Sequence, residues 1–323
     1  MKRAILILAL VGALACNDNG GDSGNDGNGG SSLTREQAQT ALSTTFRVFE
    51  GLTRSLEVNS SETETATVRA FSEDNEPIVY ECNLGGTMTR TGTFMSGEIQ
   101  FDNCVEGTDD DGDGIYEEIK FRNGSFSYSI EDSNENFIPE RIYIAGNGTY
   151  KDDENADGTW DYEITHNNFE SVEEGINGGD IWEVSETGGE IRRSNTTWNG
   201  TLVYTEGNYS AEMELSDFVI FDFSDDETGE NESALNGTLS ISDTGCISEP
   251  ATLVFRTTEN FRRSSYEKEC DESGRLEING GQIVMESYVS DPENGLRVIV
   301  DGEIVFDGPC TEFDLPDMCE VTE

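Results

Sequence analysis

Residues 282–306 read QIVMESYVSDPENGLRVIVDGEIVF. Three apolar or alternating runs, QIVMESY (282–288), LRVIV (296–300) and EIVF (303–306), are separated by Asp, Asn, Pro and Gly. Short runs of period two, closed at both ends by turn-forming residues, are strands rather than helices. The same grammar recurs toward the N-terminus in RLEING (275–280), TLVFRT (252–257), TLSIS (238–242), FVIFDFS (218–224) and TLVYTE (201–206). It continues through DIWEVSE (180–186), TWDYEIT (159–165), SFSYSI (125–130), IYEEIKF (115–121) and GEIQFDNC (97–104). No helical period intervenes. The short connections imply antiparallel pairing, because parallel strands need long crossovers. Alternation leaves one strand face polar, as in a sheet wet on one side. The expected fold is mainly β: a large antiparallel β-sandwich or a curved meander, closed on itself or by a helix.

That helix is expected at the N-terminal side, over 33–56. Thr34-Arg35-Glu36-Gln37 fits a capping box, with Thr34 as N-cap and Gln37 reaching back. Ala38, Leu42, Phe46, Phe49 and Leu52 or Leu56 then recur at three- and four-residue steps, which predicts one apolar face laid on an edge or face of the sheet.

Upstream, Lys2 and Arg3 precede the uncharged run Ala4–Ala15, too short to span a bilayer and laid out as a secretory signal. Ala13-Leu14-Ala15-Cys16 resembles the lipobox of bacterial lipoproteins. The resemblance covers the first sixteen residues. It implies removal of 1–15 and lipidation of Cys16, anchoring the chain to a membrane. Asn17–Ser32 contains only Asn, Asp, Gly and Ser. Such a stretch cannot bury enough apolar surface to order itself, so 16–32 reads as a lipidated Cys followed by a tether. Asn17, in the second mature position, leans toward the outer membrane by the same resemblance.

The chain has 67 Asp plus Glu against 19 Lys plus Arg, one His, and a formal net charge of -48. Nucleic acid is a poor partner for such a chain, since binding it requires basic groups that displace counterions. The seven Cys are 16, 82, 104, 246, 270, 310 and 319. Export permits disulfides, and with Cys16 lipidated an even number remains. Sequence neighbours suggest Cys82–Cys104, Cys246–Cys270 and Cys310–Cys319. Asn-Gly occurs at Asn123, Asn147, Asn199, Asn236 and Asn279, each beside a strand, where it suits type I′ hairpin turns. A similar order of Cys, strands and Asn-Gly around Cys82–Gly124 and Cys246–Gly280 suggests two related lobes, 57–215 and 216–323, within the β body 57–323.

Two loops carry metal-ligand spacing. Asp109-Asp110-Asp111-Gly112-Asp113-Gly114-Ile115-Tyr116-Glu117 resembles the first nine positions of an EF-hand-type calcium loop. The resemblance implies carboxylate ligands at Asp109, Asp111 and Asp113, a carbonyl at Ile115 and an oxygen at Glu117. Asp153, Asn155, Asp157, Thr159 and Asp161 repeat the pattern, with Gly158 at position six. Lys120 and Ile164 stand where a true EF-hand has a bidentate Glu, so the likeness is closer to the Asp-rich loops of extracellular β-proteins. Calcium is therefore the expected cofactor, in a structural role. His166 reads as a surface or turn residue. Trp160, Trp182 and Trp198, with Tyr150, Tyr162, Tyr204 and Tyr209, read as core or as a sugar-stacking face. No catalytic motif stands out. The expected function is a lipid-anchored, non-enzymatic cell-envelope or surface protein with a structural or binding role. The alternatives are a glycan- or lipid-ligand-binding module and a carboxylate-based hydrolase.

Overall fold

The computed structural model describes residues 30–56, 77–109, 114–184, 189–265, 268, 270–290 and 294–313. Among the described residues one α-helix, α1 (Arg35–Leu56), is followed by fifteen strands in a single antiparallel sheet. The strands are β1 (Ile78–Glu81), β2 (Gly85–Gly92), β3 (Ser96–Thr108), β4 (Glu118–Glu131), β5 (Arg141–Asp153), β6 (Tyr162–Gly175), β7 (Trp182–Val184) and β8 (Glu190–Glu206). They continue as β9 (Tyr209–Asp225), β10 (Asn231–Asp243), β11 (Ala251–Arg263), β12 (Ser273–Ile278), β13 (Ile283–Tyr288), β14 (Gly295–Val300) and β15 (Glu303–Pro309). Each pairs with its sequence neighbour, except that the short β7 pairs only with β8, and β6 pairs directly with β8. The mainly β expectation holds, in its meander form. The lobe boundary expected between 215 and 216 falls inside β9, and one core cluster holds residues from both sides of it.

The helix begins as its sequence requires. Thr34 N–H donates to Gln37 Oε1 (3.0 Å) and Gln37 N–H to Thr34 Oγ1 (3.2 Å), the reciprocal capping box. The single apolar face expected of it understates its burial. Thr40, Ser43, Thr44 and Thr45 are as buried as Ala38, Leu42, Phe46 and Phe49. Small side chains let the sheet approach closely on these sides, and their hydroxyls bond in place. Thr45 Oγ1 donates to the Ala41 carbonyl (2.7 Å), and Thr44 Oγ1 shares a bond with the Tyr209 hydroxyl (2.7 Å). The helix reaches from β15, where Arg35 pairs with Glu303 (2.6 Å), to β6, where Ser55 meets His166 (3.2 Å). Midway, Phe49 packs against Trp198 and Phe218 with ring centroids 5.5 and 5.0 Å apart.

The Asn-Gly pairs are not hairpin turns. Asn123, Asn147, Asn199 and Asn236 lie within β4, β5, β8 and β10, and only Asn279-Gly280 follows a strand end. All five Asn side chains do one thing: Oδ1 accepts a backbone N–H from a neighbouring strand. The donors are Asn103 (3.3 Å), Asn168 (2.7 Å), Asp217 (2.7 Å), Thr257 (3.0 Å) and Val254 (2.9 Å). Asn103, Asn168 and Asp217 have positive φ and sit where the register shifts. A bulge takes an N–H out of the ladder, and the carboxamide replaces its lost acceptor. The two-residue turns are instead Gly207-Asn208 between β8 and β9 and Asp301-Gly302 between β14 and β15.

Candidate functional site

The acidic hairpin between β5 and β6 contains all five residues expected of the second calcium-type loop. Asp153, the last residue of β5, is 2% exposed, and its carboxylate organises the turn. Its Oδ1 accepts Asp157 N–H (3.1 Å) and its Oδ2 accepts Gly158 N–H (2.8 Å). Asp157 Oδ1 accepts Thr159 N–H (2.9 Å), and Asp161 Oδ2 accepts Glu154 N–H (2.7 Å). Gly158, at φ 88°, supplies the backbone conformation that a side chain would resist. Asn155 sits at the exposed tip. At the base, Asp161 N–H donates to the Asp152 carbonyl (2.8 Å). Among the described residues, no Lys or Arg pairs with Asp153, Asp157 or Asp161.

The β3–β4 hairpin repeats this geometry as far as it is described. Asp109 Oδ2 accepts Gly114 N–H (2.9 Å), with Gly114 at φ 85°, and Glu117 N–H donates to the Thr108 carbonyl (2.9 Å). Ile115 is exposed on the loop. Asp111 and Asp113 lie outside the described residues.

A third loop of the same build escaped the sequence reading. Between β4 and β5, Asp132 Oδ1 accepts Asn136 N–H (3.2 Å) and Oδ2 accepts Phe137 N–H (2.9 Å). Asn136 Oδ1 accepts Ile138 N–H (2.8 Å), and Glu140 Oε2 accepts Ser133 N–H (2.8 Å). Position for position this is the 153–161 loop, with Asp132, Asn134, Asn136 and Glu140 in place of Asp153, Asn155, Asp157 and Asp161. Asp180 joins it, accepting from Asn134 and Asn136 Nδ2 (2.9 and 2.7 Å). The signal was the D-x-N-x-N spacing. It was masked because Phe137, at φ 66°, occupies the position that Gly fills in the other two loops.

The cysteines pair differently from the nearest-neighbour expectation. Cys82–Cys104 forms as expected, but Cys270 bonds to Cys310, which rules out both Cys246–Cys270 and Cys310–Cys319. Cys246 is itself disulfide-bonded. Cys16 and Cys319 lie outside the described residues. The meander brings the end of β15 back beside the turn before β12, and proximity in space overrides proximity in sequence. Cys82, Cys104 and Glu106 lie close together, but the bonded sulfurs offer no thiolate for a metal, and Glu106 pairs with Arg122.

His166 is core, not surface. It is 2% exposed, between the rings of Phe126 and Phe169, and burial pushes its pKa down to about 4. Ser55 Oγ lies 3.2 Å from Nε2, and among the described residues Nδ1 has no hydrogen-bond partner. The aromatic set is also mostly interior. Trp198, Tyr150, Tyr204 and Tyr209 are buried, whereas Trp160 is 39% exposed on the acidic hairpin and packs near Phe121.

No protein-family model matches the chain, and no solved structure matches it. It is similar to a protein of Aquifex aeolicus (strain VF5), named Uncharacterized protein aq_aa17. The two are 30% identical over 257 residues, which covers 74% of this chain and 70% of that protein.

Proposed function

The chain belongs to the family of this Aquifex aeolicus protein, and from that premise and its own residues we propose a lipid-anchored cell-envelope protein. Its role in this reading is non-enzymatic, structural or binding, and calcium stabilises its acidic hairpins. The relative's name states no activity, so the reading rests on this chain alone. The lipobox-like Ala13–Cys16 supports the anchor. The disulfides support an oxidising compartment outside the cytoplasm.

The observation that carries the calcium part is the 153–161 hairpin. It gathers three carboxylates and an amide on alternate positions of one tight loop, with the first carboxylate buried. Calcium takes six to eight oxygens from such carboxylates, carbonyls and water. A dication there would offset the mutual repulsion of Asp153, Asp157 and Asp161. Melting curves of the full chain with calcium and with EDTA test this. The expected result is a rise in Tm with calcium that Asp153→Asn reduces and Asp153→Asn/Asp157→Asn removes. An unchanged wild-type Tm sinks the proposal. Labelling with a clickable fatty acid tests the anchor, and label that persists in Cys16→Ser overturns it.

A further inference from the structure

On the face of the sheet turned away from α1, β3, β4 and β5 enclose a shallow depression of about 520 Å³. It sits on the bulge line, where the strands bend at Asn103 and register shifts between Phe101 and Cys104. Gly124 and Gly146 form part of its floor, where β4 and β5 approach so closely that a side chain at either position would meet the backbone of the paired strand. The walls are polar: Glu98, Gln100 and Asp102 from β3 face Asn123 and Ser125 from β4 and Asn147 from β5. Among the described residues no Lys or Arg lines it.

The chemistry of these groups is divided. Asn123 and Asn147 already spend Oδ1 on the bulge N–H groups of Asn103 and Asn168. Each keeps its Nδ2 donor for a ligand, together with the second lone pair of Oδ1. Gln100 offers both donor and acceptor. Glu98 accepts from Ser125 Oγ and Asp102 from Asn103 Nδ2, and each ionised carboxylate keeps further acceptor capacity. A cation would use only the acceptors. A hydroxyl both donates and accepts, and neighbouring hydroxyls at fixed spacing would use both sets.

We propose that this depression binds a hydroxyl-rich ligand, a saccharide of one or two rings. It does not depend on calcium or on the anchor. The aromatic residues that first suggested sugar stacking are largely consumed by the core. Recognition here rests on hydrogen bonds at an open surface, so weak binding is expected, with a dissociation constant on the order of 1 mM.

The test is affinity electrophoresis of the purified full chain in native gels. The gels contain, one at a time, a soluble glucan, mannan, galactan or xylan, with EDTA throughout. At least one polysaccharide should retard the wild-type chain. Gln100→Ala/Asp102→Ala should weaken that retardation at least tenfold, and Ser127→Trp, which fills the depression, should abolish it. These positions lie on the sheet surface, so Tm and circular dichroism should not change. Absence of retardation in every gel overturns the proposal, as does equal retardation of the variants. Retardation reversed by spermine but not by oligosaccharide assigns a cationic occupant and overturns it too. Because EDTA is present, failure of the calcium reading leaves this result untouched.

Discussion

Gly200→Ala isolates the bulge line from ordinary turn chemistry. Gly200 follows Asn199 in β8, with φ at 116°, outside the region an alanine adopts readily. An alanine Cβ there would lie 2.5 Å from the Asn168 carbonyl oxygen and 2.7 Å from Phe169 Cα. Both obstacles are backbone of the paired strand β6, so no side chain can turn aside. Backbone strain of about 1–3 kcal/mol adds to an overpacking cost of about 1–3 kcal/mol. The sum is a loss of about 2–6 kcal/mol. Gly207→Ala is the control. Gly207 also has positive φ, 56°, but nothing lies within 4 Å of its Cβ position. That φ is the left-handed helical value, so only its cost of about 1–2 kcal/mol applies. Urea unfolding at constant calcium, extrapolated linearly, gives both numbers. Equal losses in the two variants, or a smaller loss at Gly200, would refute the claim that the Asn-Gly line is a close strand-to-strand contact.

Further outcomes follow from the same structure. Asn199→Ala removes the acceptor of Asp217 N–H (2.7 Å) at a site partly open to water, and should cost about 0.5–1.5 kcal/mol in the same urea assay. Non-reducing peptide mapping should link Cys82 to Cys104 and Cys270 to Cys310. Opening these 22- and 40-residue separations by Cys→Ser changes should cost about 3 and about 4 kcal/mol in the chain-entropy model. His166 titrates near 4 when folded and near 6.5 when unfolded, so its neutral form contributes stability that is full above about 6.5 and lost as pH falls toward 4. A shift of that size corresponds to about 3 kcal/mol. Asp271 works in the opposite sense: burial pushes its pKa up to about 6, so stability is lost as pH rises from about 4 to 6. His166→Phe should therefore make the chain gain stability on acidification through this window, and Asp271→Asn should steepen its loss. Parallel pH–stability curves for both variants and wild type would contradict these assignments.

The hairpin loops show how far local sequence carries. The 153–161 turn is legible because its oxygen-bearing side chains bond their own loop backbone, and Gly158 announces the positive φ. The 132–140 turn uses the same bonds but places Phe137 at that position, so the strongest local cue is missing. Asn-Gly was misread for a related reason. Its capacity for positive φ is local information, but whether that capacity serves a turn or a bulge depends on the strand paired beside it. His166 and the buried Thr and Ser of α1 look like surface residues in one dimension. Strands more than a hundred residues away bury the helix hydroxyls, as Tyr209 does Thr44, and for His166 the cover comes from Phe126, Phe169 and the end of the helix at Ser55.

The β class, the antiparallel pairing, the capped helix and the regular spacing of acidic side chains in two loops follow from the sequence by itself. They depend on periods of two and 3.6 residues and on hydrogen bonds that span a few positions. Tertiary structure alone decided the rest: one open sheet around a nearly enclosed helix, the Cys270–Cys310 bond, the work of the Asn-Gly carboxamides and the depression on the outer face. Each of these depends on which strands lie side by side. Alternation gives a strand two faces, but only the packing of the whole chain decides what covers each one.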